Sequence, residues 1–136
     1  MATYLNQYPL LIPFIAILLA QMVKAFIDWA RNRKKLRFLN PGGMPSGHSA
    51  FVAALVVVVA SREGIGSTAF MISSVVALVV MYDAVTIRNQ AGLHARILNK
   101  LKKGPELEES LGHTLPEAIF GAIFGALVAF ALLSFP

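Results

Sequence analysis

Two histidines in this sequence stand beside signals for the start of a helix. His48 closes the tetrad Pro45-Ser46-Gly47-His48, and His113 immediately precedes Thr114-Leu115-Pro116-Glu117. An imidazole can transfer a proton or attack a phosphorus atom. The unpaired N–H groups and positive dipole end of a helix start favour a bound anion. The two histidines and two helix starts together predict a site that handles a phosphate group.

Basic side chains are expected at the same place. Lys24 and Arg31 lie at the end of the first apolar stretch, and Arg88 follows the third. Together with the backbone amides near Ser46 and Gly47, they predict a pocket suited to phosphoryl oxygens.

Some of these residues also have purely structural interpretations. An acid near a membrane boundary is costly to leave unpaired, so Asp83 is either an ion-pair partner of Lys24 or Arg88 or a member of the site. Ser46 fits a helix N-cap. Glu117, three residues after Thr114, fits a capping box, a role compatible with holding the preceding histidine rigidly.

The overall composition predicts a membrane protein. Of 136 residues, 57% are hydrophobic and 14% charged, with no cysteine, and the mean hydropathy is +0.67. A water-soluble domain of this size does not need so much apolar sequence. Four crossings of about 20 residues each would leave only short connections, so we expect one transmembrane helical domain over residues 1–136. The predicted spans are Pro9–Trp29, Ser46–Ala60, Ser67–Val85 and Leu115–Phe135.

The distribution of positive charge predicts the orientation. Basic residues crowd Arg31–Arg37 and the polar segment Arg88–Glu109, which we expect to be a loop, whereas the turn between the second and third spans holds only Arg62 and Glu63. By the positive-inside rule the N-terminus lies outside and the predicted site faces the cytoplasm. The net charge of +5 then points to anionic lipid headgroups rather than nucleic acid.

Three blocks of the sequence, in order and covering about the whole chain, resemble a known family. They are Gly42-Gly43-Met44-Pro45-Ser46-Gly47-His48-Ser49, then Met81-Tyr82-Asp83-Ala84 with Arg88 and Ala91-Gly92, then Leu111-Gly112-His113-Thr114 with Glu117 and Gly121. They look like the divergent branch of the type-2 phosphatidic acid phosphatase superfamily, the acid phosphatase/vanadium-dependent haloperoxidase-related small membrane proteins. The resemblance implies an all-α bundle and a phosphatase with no metal cofactor.

Residue by residue, the resemblance assigns the first and second blocks directly. Lys24 and Arg31 keep the six-residue gap of the parent Lys-x6-Arg-Pro block, although Asn32 replaces its proline. At this spacing the two cations would share one helix face. The Pro-Ser-Gly-His block is intact from Pro45 to His48.

The third parent block, Ser-Arg-x5-His-x3-Asp, can be matched in two ways. Arg88 and His94 keep the arginine-to-histidine gap, but a leucine then stands at the position of the acid. His113 and Glu117 keep the histidine-to-acid gap but lie far from Arg88 in the chain. We favour the second match, because a catalytic imidazole needs a carboxylate to fix its tautomer. His94 in a polar loop stays the weaker alternative.

The resulting hypothesis is a phosphatase that acts on a lipid phosphomonoester or diphosphate at the cytoplasmic leaflet. His113 would be the nucleophile, Glu117 its orienting group and His48 the general acid. Orientation favours phosphatidylglycerophosphate or phosphatidate, with polyprenyl diphosphate as the alternative substrate. Asp83 beside these groups leaves room for a Mg²⁺-assisted variant.

Two further expectations come from the same sequence. The competing hypothesis is a non-catalytic membrane protein that binds anionic lipid or a partner through its basic face. Gly121 and Gly125 form a small-xxx-small pattern that allows two helices to approach closely and offers a contact for a homo-oligomer.

Overall fold

The computed structural model describes residues 7–30, 43–101 and 104–134, and all the main elements in these ranges are α-helices. We number them in chain order. They are α1 (Leu11–Ala30), α2 (Gly47–Glu63), α3 (Thr68–Val85), α4 (Ile87–Lys100) and α5 (Leu115–Ser134). The predicted all-α architecture is confirmed, with span boundaries within a few residues of those expected.

Helix α2 occupies the centre of the bundle and packs against α1, α3 and α5. Its contacts are made largely by small side chains, because Ala16, Ala54 and Ala129 meet in one fully buried cluster with Ile12. Large apolar side chains such as Phe130 point outward instead. Small residues between helices and bulky ones outside are typical of bundles in a bilayer.

Within the described ranges, three helices are long and apolar enough to cross a membrane, namely Leu11–Ala30, the continuous stretch Thr68–Lys100, and Leu115–Ser134. The predicted second span forms α2, which at 17 residues extends about 25 Å. That is slightly less than the hydrocarbon core of about 30 Å. The structure therefore supports three of the four predicted crossings on length and composition.

The expectation of a loop over Arg88–Glu109 is wrong for its first half, which forms α4. Leu93, Ile97 and Leu101 recur at four-residue spacing, a helical pattern that the many charged residues obscured. Only Thr86 separates α3 from α4. Its hydroxyl donates to the Tyr82 carbonyl at 2.7 Å, a back-bond that often bends helices.

The chain then returns along α4 as an extended strap over residues 104–114. The Asn99 side chain holds the strap by donating to the Leu107 carbonyl at 2.8 Å and accepting from its N–H at 2.9 Å. Arg96 Nε lies 3.5 Å from Glu109 Oε2. Through these contacts α4 positions the strap, which carries His113 into the bundle.

Candidate functional site

Ser46 begins the first of the two helix starts. It is the N-cap of α2, with extended backbone, and its hydroxyl accepts from the Ser49 N–H at 3.4 Å and the Ser49 hydroxyl at 3.0 Å. Ser46 is fully buried. The N-cap interpretation is therefore confirmed, and the cap is fixed inside the protein rather than at its surface.

Helix α5 packs directly behind this cap. A Cβ at Gly121 would overlap the Ser46 carbonyl oxygen, and one at Gly125 would overlap Ala50. The Ser46 N–H also donates to the Glu117 carbonyl at 3.3 Å. The two glycines thus bring α2 and α5 of the same chain together, and the homo-oligomer stays a prediction.

The second helix start is tied to the ends of α3 and α4. The His113 N–H donates to the Ala84 carbonyl at 2.9 Å. Gly112 has φ +84°, and a Cβ there would overlap the backbone of Arg88 and Asn89. A left-handed backbone without a side chain is therefore needed to bring the strap this close. The structure accordingly joins Arg88 to the His113 segment, as the favoured match of the third block requires.

Glu117 contacts both the helix start and the histidine. Its Oε2 accepts from the Thr114 N–H at 2.9 Å, which is one half of the predicted capping box. The same oxygen lies 3.6 Å from His113 Nδ1, slightly beyond hydrogen-bond length. Nδ1 is buried and has no hydrogen-bond partner among the described residues. The carboxylate therefore faces Nδ1, and Nε2 is the ring nitrogen left for chemistry.

The surroundings of His113 favour its neutral form. The side chain is 7% exposed, and this burial is the largest cause that lowers its pKa. The charges of Lys24 and His48 lower the pKa further, while Glu117 opposes the shift. A neutral imidazole is the form that can attack phosphorus.

The cations meet at the same end of the bundle. Lys24 is only 6% exposed, and its Cε lies 3.2 Å from the position a Cβ would take at Gly43, in the loop that leads to α2. The charges of Lys24 and Arg88 both act on the His48 imidazole. Arg31 lies outside the described residues. Lys24, His48, Arg88, His113 and Glu117 thus form one cluster, which we call the histidine cluster.

Two other predicted residues lie at the edge of this cluster or outside it. Asp83 Oδ2 is 3.7 Å from Arg88 Nε, with both side chains partly exposed, so the structure gives it the ion-pair position. His94 is exposed on α4.

In the described part of the chain, no group of three or more His, Asp or Glu side chains could hold a metal ion. Because Mg²⁺ at a phosphate site needs only one or two carboxylates beside the substrate, the Mg²⁺-assisted variant stays a prediction.

Sequence reasoning passed over two polar residues of α1 as site members. The Gln21 amide lies against the start of α2, with Nε2 3.0 Å from the position a Cβ would take at Gly47, and its Oε1 is buried without a hydrogen-bond partner among the described residues. Asp28 is 7% exposed. Both occur within an apolar span and share a helix face with Lys24, which is the signal that could have identified them.

Comparisons with known proteins identify the family of the chain. The model of the divergent PAP2 family matches residues 5–128. A relative from Bacillus subtilis (strain 168), described as the uncharacterized membrane protein YuiD, is 35% identical, with 96% of this chain and 97% of the relative covered. No solved structure matches. Because the family model and this relative each extend along most of the sequence, the chain belongs to the divergent PAP2 family and is a membrane protein.

Proposed function

We propose that the protein is a membrane phosphatase that hydrolyses a phosphomonoester or diphosphate on a lipid headgroup. The observation that carries the proposal is the buried His113, which has Glu117 at its Nδ1 and lies within the electrostatic reach of Lys24 and His48. A structural histidine does not need a carboxylate, a second imidazole and two helix starts around it. A phosphoryl-transfer site that works through a phosphohistidine can use each of these.

In the first step, His113 Nε2 attacks phosphorus as the bond to the lipid oxygen breaks. His48 donates a proton to that leaving oxygen. Glu117 keeps the proton of the His113 ring on Nδ1, so that the lone pair of Nε2 is available. In the second step, water attacks the phosphohistidine, His48 accepts its proton, and inorganic phosphate and neutral His113 are released.

The cations and helix starts bind the phosphoryl group. Lys24, Arg88 and Arg31 balance its negative charge, and the backbone amides near Ser46 and Gly47 donate to its oxygens. Arg88 is already paired with Asp83 through Nε, which leaves its terminal guanidinium nitrogens for phosphate.

The proposed topology has four crossings, an outside N-terminus and the histidine cluster at the cytoplasmic face. Helix α2 supplies the fourth crossing, because it lies between α1 and α3 and packs against both. The cluster end carries most of the basic sequence, and the opposite end of α2 carries only Arg62. This orientation favours lipids of the inner leaflet, phosphatidylglycerophosphate or phosphatidate, over polyprenyl diphosphates.

The test is phosphate release by the purified protein in detergent from these three lipids, with either EDTA or Mg²⁺. His48→Ala and His113→Ala are assayed beside Arg62→Gln, a control at the opposite end of the bundle. We expect release in EDTA from the native protein and the control, and none from the histidine variants. An aryl phosphate with a good leaving group should partly rescue His48→Ala but not His113→Ala, because only the first variant lacks the general acid.

Two outcomes would overturn the proposal. Release from none of the lipids, by protein whose helical circular dichroism is intact, would leave the non-catalytic lipid-binding hypothesis. Release that persists in His113→Ala would remove the nucleophile from the mechanism.

A further inference from the structure

The continuous helical stretch Thr68–Lys100 is too long to lie within a bilayer. Its 33 residues would extend about 50 Å if straight, against a hydrocarbon core of about 30 Å. Helix α3 alone, with 18 residues, spans about 27 Å. Helix α4 therefore begins where the hydrocarbon core ends.

Helix α4 has one packed side and one open side. Gly92, Ala95 and Asn99 face the strap, where Gly92 meets the backbone of Glu109. The opposite side carries large apolar side chains that are exposed. They are Ile87, Leu93, Ile97, Leu98 and Leu101, and the exposed polar residues Gln90 and His94 lie among them.

Basic side chains border this open apolar side. Arg96 and Lys100 are exposed and lie between the apolar face and the packed face. Lys102 and Lys103 continue the basic run in the sequence. An apolar face beside a cationic flank has the chemistry of the boundary between acyl chains and anionic headgroups.

We propose that α4 lies in the headgroup plane of the leaflet beside the histidine cluster, with its apolar face toward the acyl chains and its basic flank on anionic headgroups. The exposed aromatic residues Trp29 and Tyr82, near the ends of α1 and α3, mark the same interface. The occupant of the open face is the anionic lipid surface. This inference does not depend on phosphatase activity.

The absence of native cysteine permits single-cysteine labelling with an environment-sensitive fluorophore. Ile97→Cys tests the open face of α4, Leu127→Cys gives a lipid-exposed reference within α5, and Glu106→Cys gives a strap reference. In phosphatidylglycerol-containing vesicles, we expect the label at position 97 to be quenched more by shallow than by deep spin-labelled acyl chains. The label at 127 should show the reverse, and the label at 106 should respond mainly to aqueous iodide.

The second measurement concerns headgroup charge. With the label at position 97, spin-labelled phosphatidylglycerol should quench more strongly than spin-labelled phosphatidylcholine. Lys100→Gln should weaken the local preference for the anionic lipid by up to about fivefold, and Arg62→Gln should leave it unchanged. Iodide access at 97 equal to that at 106 would overturn the interfacial position. An absent lipid preference, or one that Lys100→Gln leaves intact, would overturn the choice of occupant.

Discussion

A serine caps one helix at each end of the bundle, and the surroundings of the two serines differ. Ser46 caps α2 at the end that holds the histidine cluster, and Ser67 caps α3 at the opposite end. Ser67 accepts from the Phe70 N–H at 3.1 Å and donates to the Gly64 carbonyl at 2.8 Å, both close in sequence. Ser46 is buried, and Gly121 of α5 packs directly against it.

The difference lies in long-range backbone contacts. At the cluster end, Ser46 donates to the Glu117 carbonyl and His113 donates to the Ala84 carbonyl, so distant segments fix one another. At the other end, the last two residues of α2 and the short turn over residues 64–66 are all exposed. Local capping is therefore common to both ends, and preorganisation by distant segments belongs to the cluster.

The largest expected effect comes from His113→Gln, which keeps a polar side chain but removes the nucleophile. We expect phosphate release to fall at least about ten-thousandfold, with retained helical circular dichroism. The matched control is His94→Gln, because that imidazole is exposed on α4. A comparable loss in His94→Gln, with activity kept in His113→Gln, would reverse the assignment between the two histidines.

Glu117→Gln tests the surroundings of His113 through the pH dependence of phosphate release. Burial lowers the pKa of His113 below 6.5 and Glu117 opposes that shift, so removing the carboxylate should lower the pKa further. Because activity needs neutral His113, the acid limb of the pH–rate profile should move to lower pH. The maximal rate should fall about a hundredfold, the low end of what acid–base groups contribute.

Lys24→Gln should shift the pH–rate profile in the direction opposite to Glu117→Gln. The Lys24 charge lowers the pKa of His113, so its removal should move the acid limb to higher pH. Glu63→Gln, at the opposite end, should leave the limb in place. Shifts of the same direction in Glu117→Gln and Lys24→Gln would contradict the electrostatic account.

Much of the difference between the two ends could be predicted from the sequence, because apolar spans and helix caps are recognisable from short stretches of the chain. Apolar runs of about 20 residues predicted the spans, and a serine before an apolar run predicted the Ser46 cap. The pairing of His113 with Glu117 is implied by the histidine-to-acid gap of the family resemblance, and the capping box at Thr114 is compatible with it. The sequence alone leaves the partner of Asp83 open, since Lys24 and Arg88 are both suitable cations, and the fold brings Arg88 beside it.

The remaining features depend on tertiary contacts that have weaker local signals. The Gln21 amide lies against the start of α2, where Gly47 has no side chain to hold it away. The helical pattern of α4 is hard to recognise in the sequence because small and polar residues face the strap, and because charged residues border the open apolar side and polar ones interrupt it, so the segment resembles a polar loop. Gly121 was recognised as a site of close helix approach, but only the structure identifies α2 as its partner.

Gly121→Ala tests whether the long-range contact at Ser46 matters. The added Cβ would overlap the Ser46 backbone, and overpacking of this kind costs about 1–3 kcal/mol. Gly66→Ala is the matched control, because nothing lies within 4 Å of a Cβ there. We expect a lower thermal midpoint in detergent and lower phosphate release for Gly121→Ala only. Equal thermal midpoints for Gly121→Ala and Gly66→Ala would mean that both ends of the bundle tolerate an added methyl group equally well.

The smallest effect is expected from the two caps themselves. Ser46→Ala and Ser67→Ala each remove a hydroxyl that accepts from a backbone N–H, which costs about 1 kcal/mol of stability. Both variants should therefore lose a similar amount in thermal unfolding. Only Ser46→Ala should also raise the KM for the lipid, since its helix start is proposed to bind phosphate. If the KM rises equally in both, the phosphate cradle does not depend on the Ser46 cap, and the difference between the two ends is confined to packing.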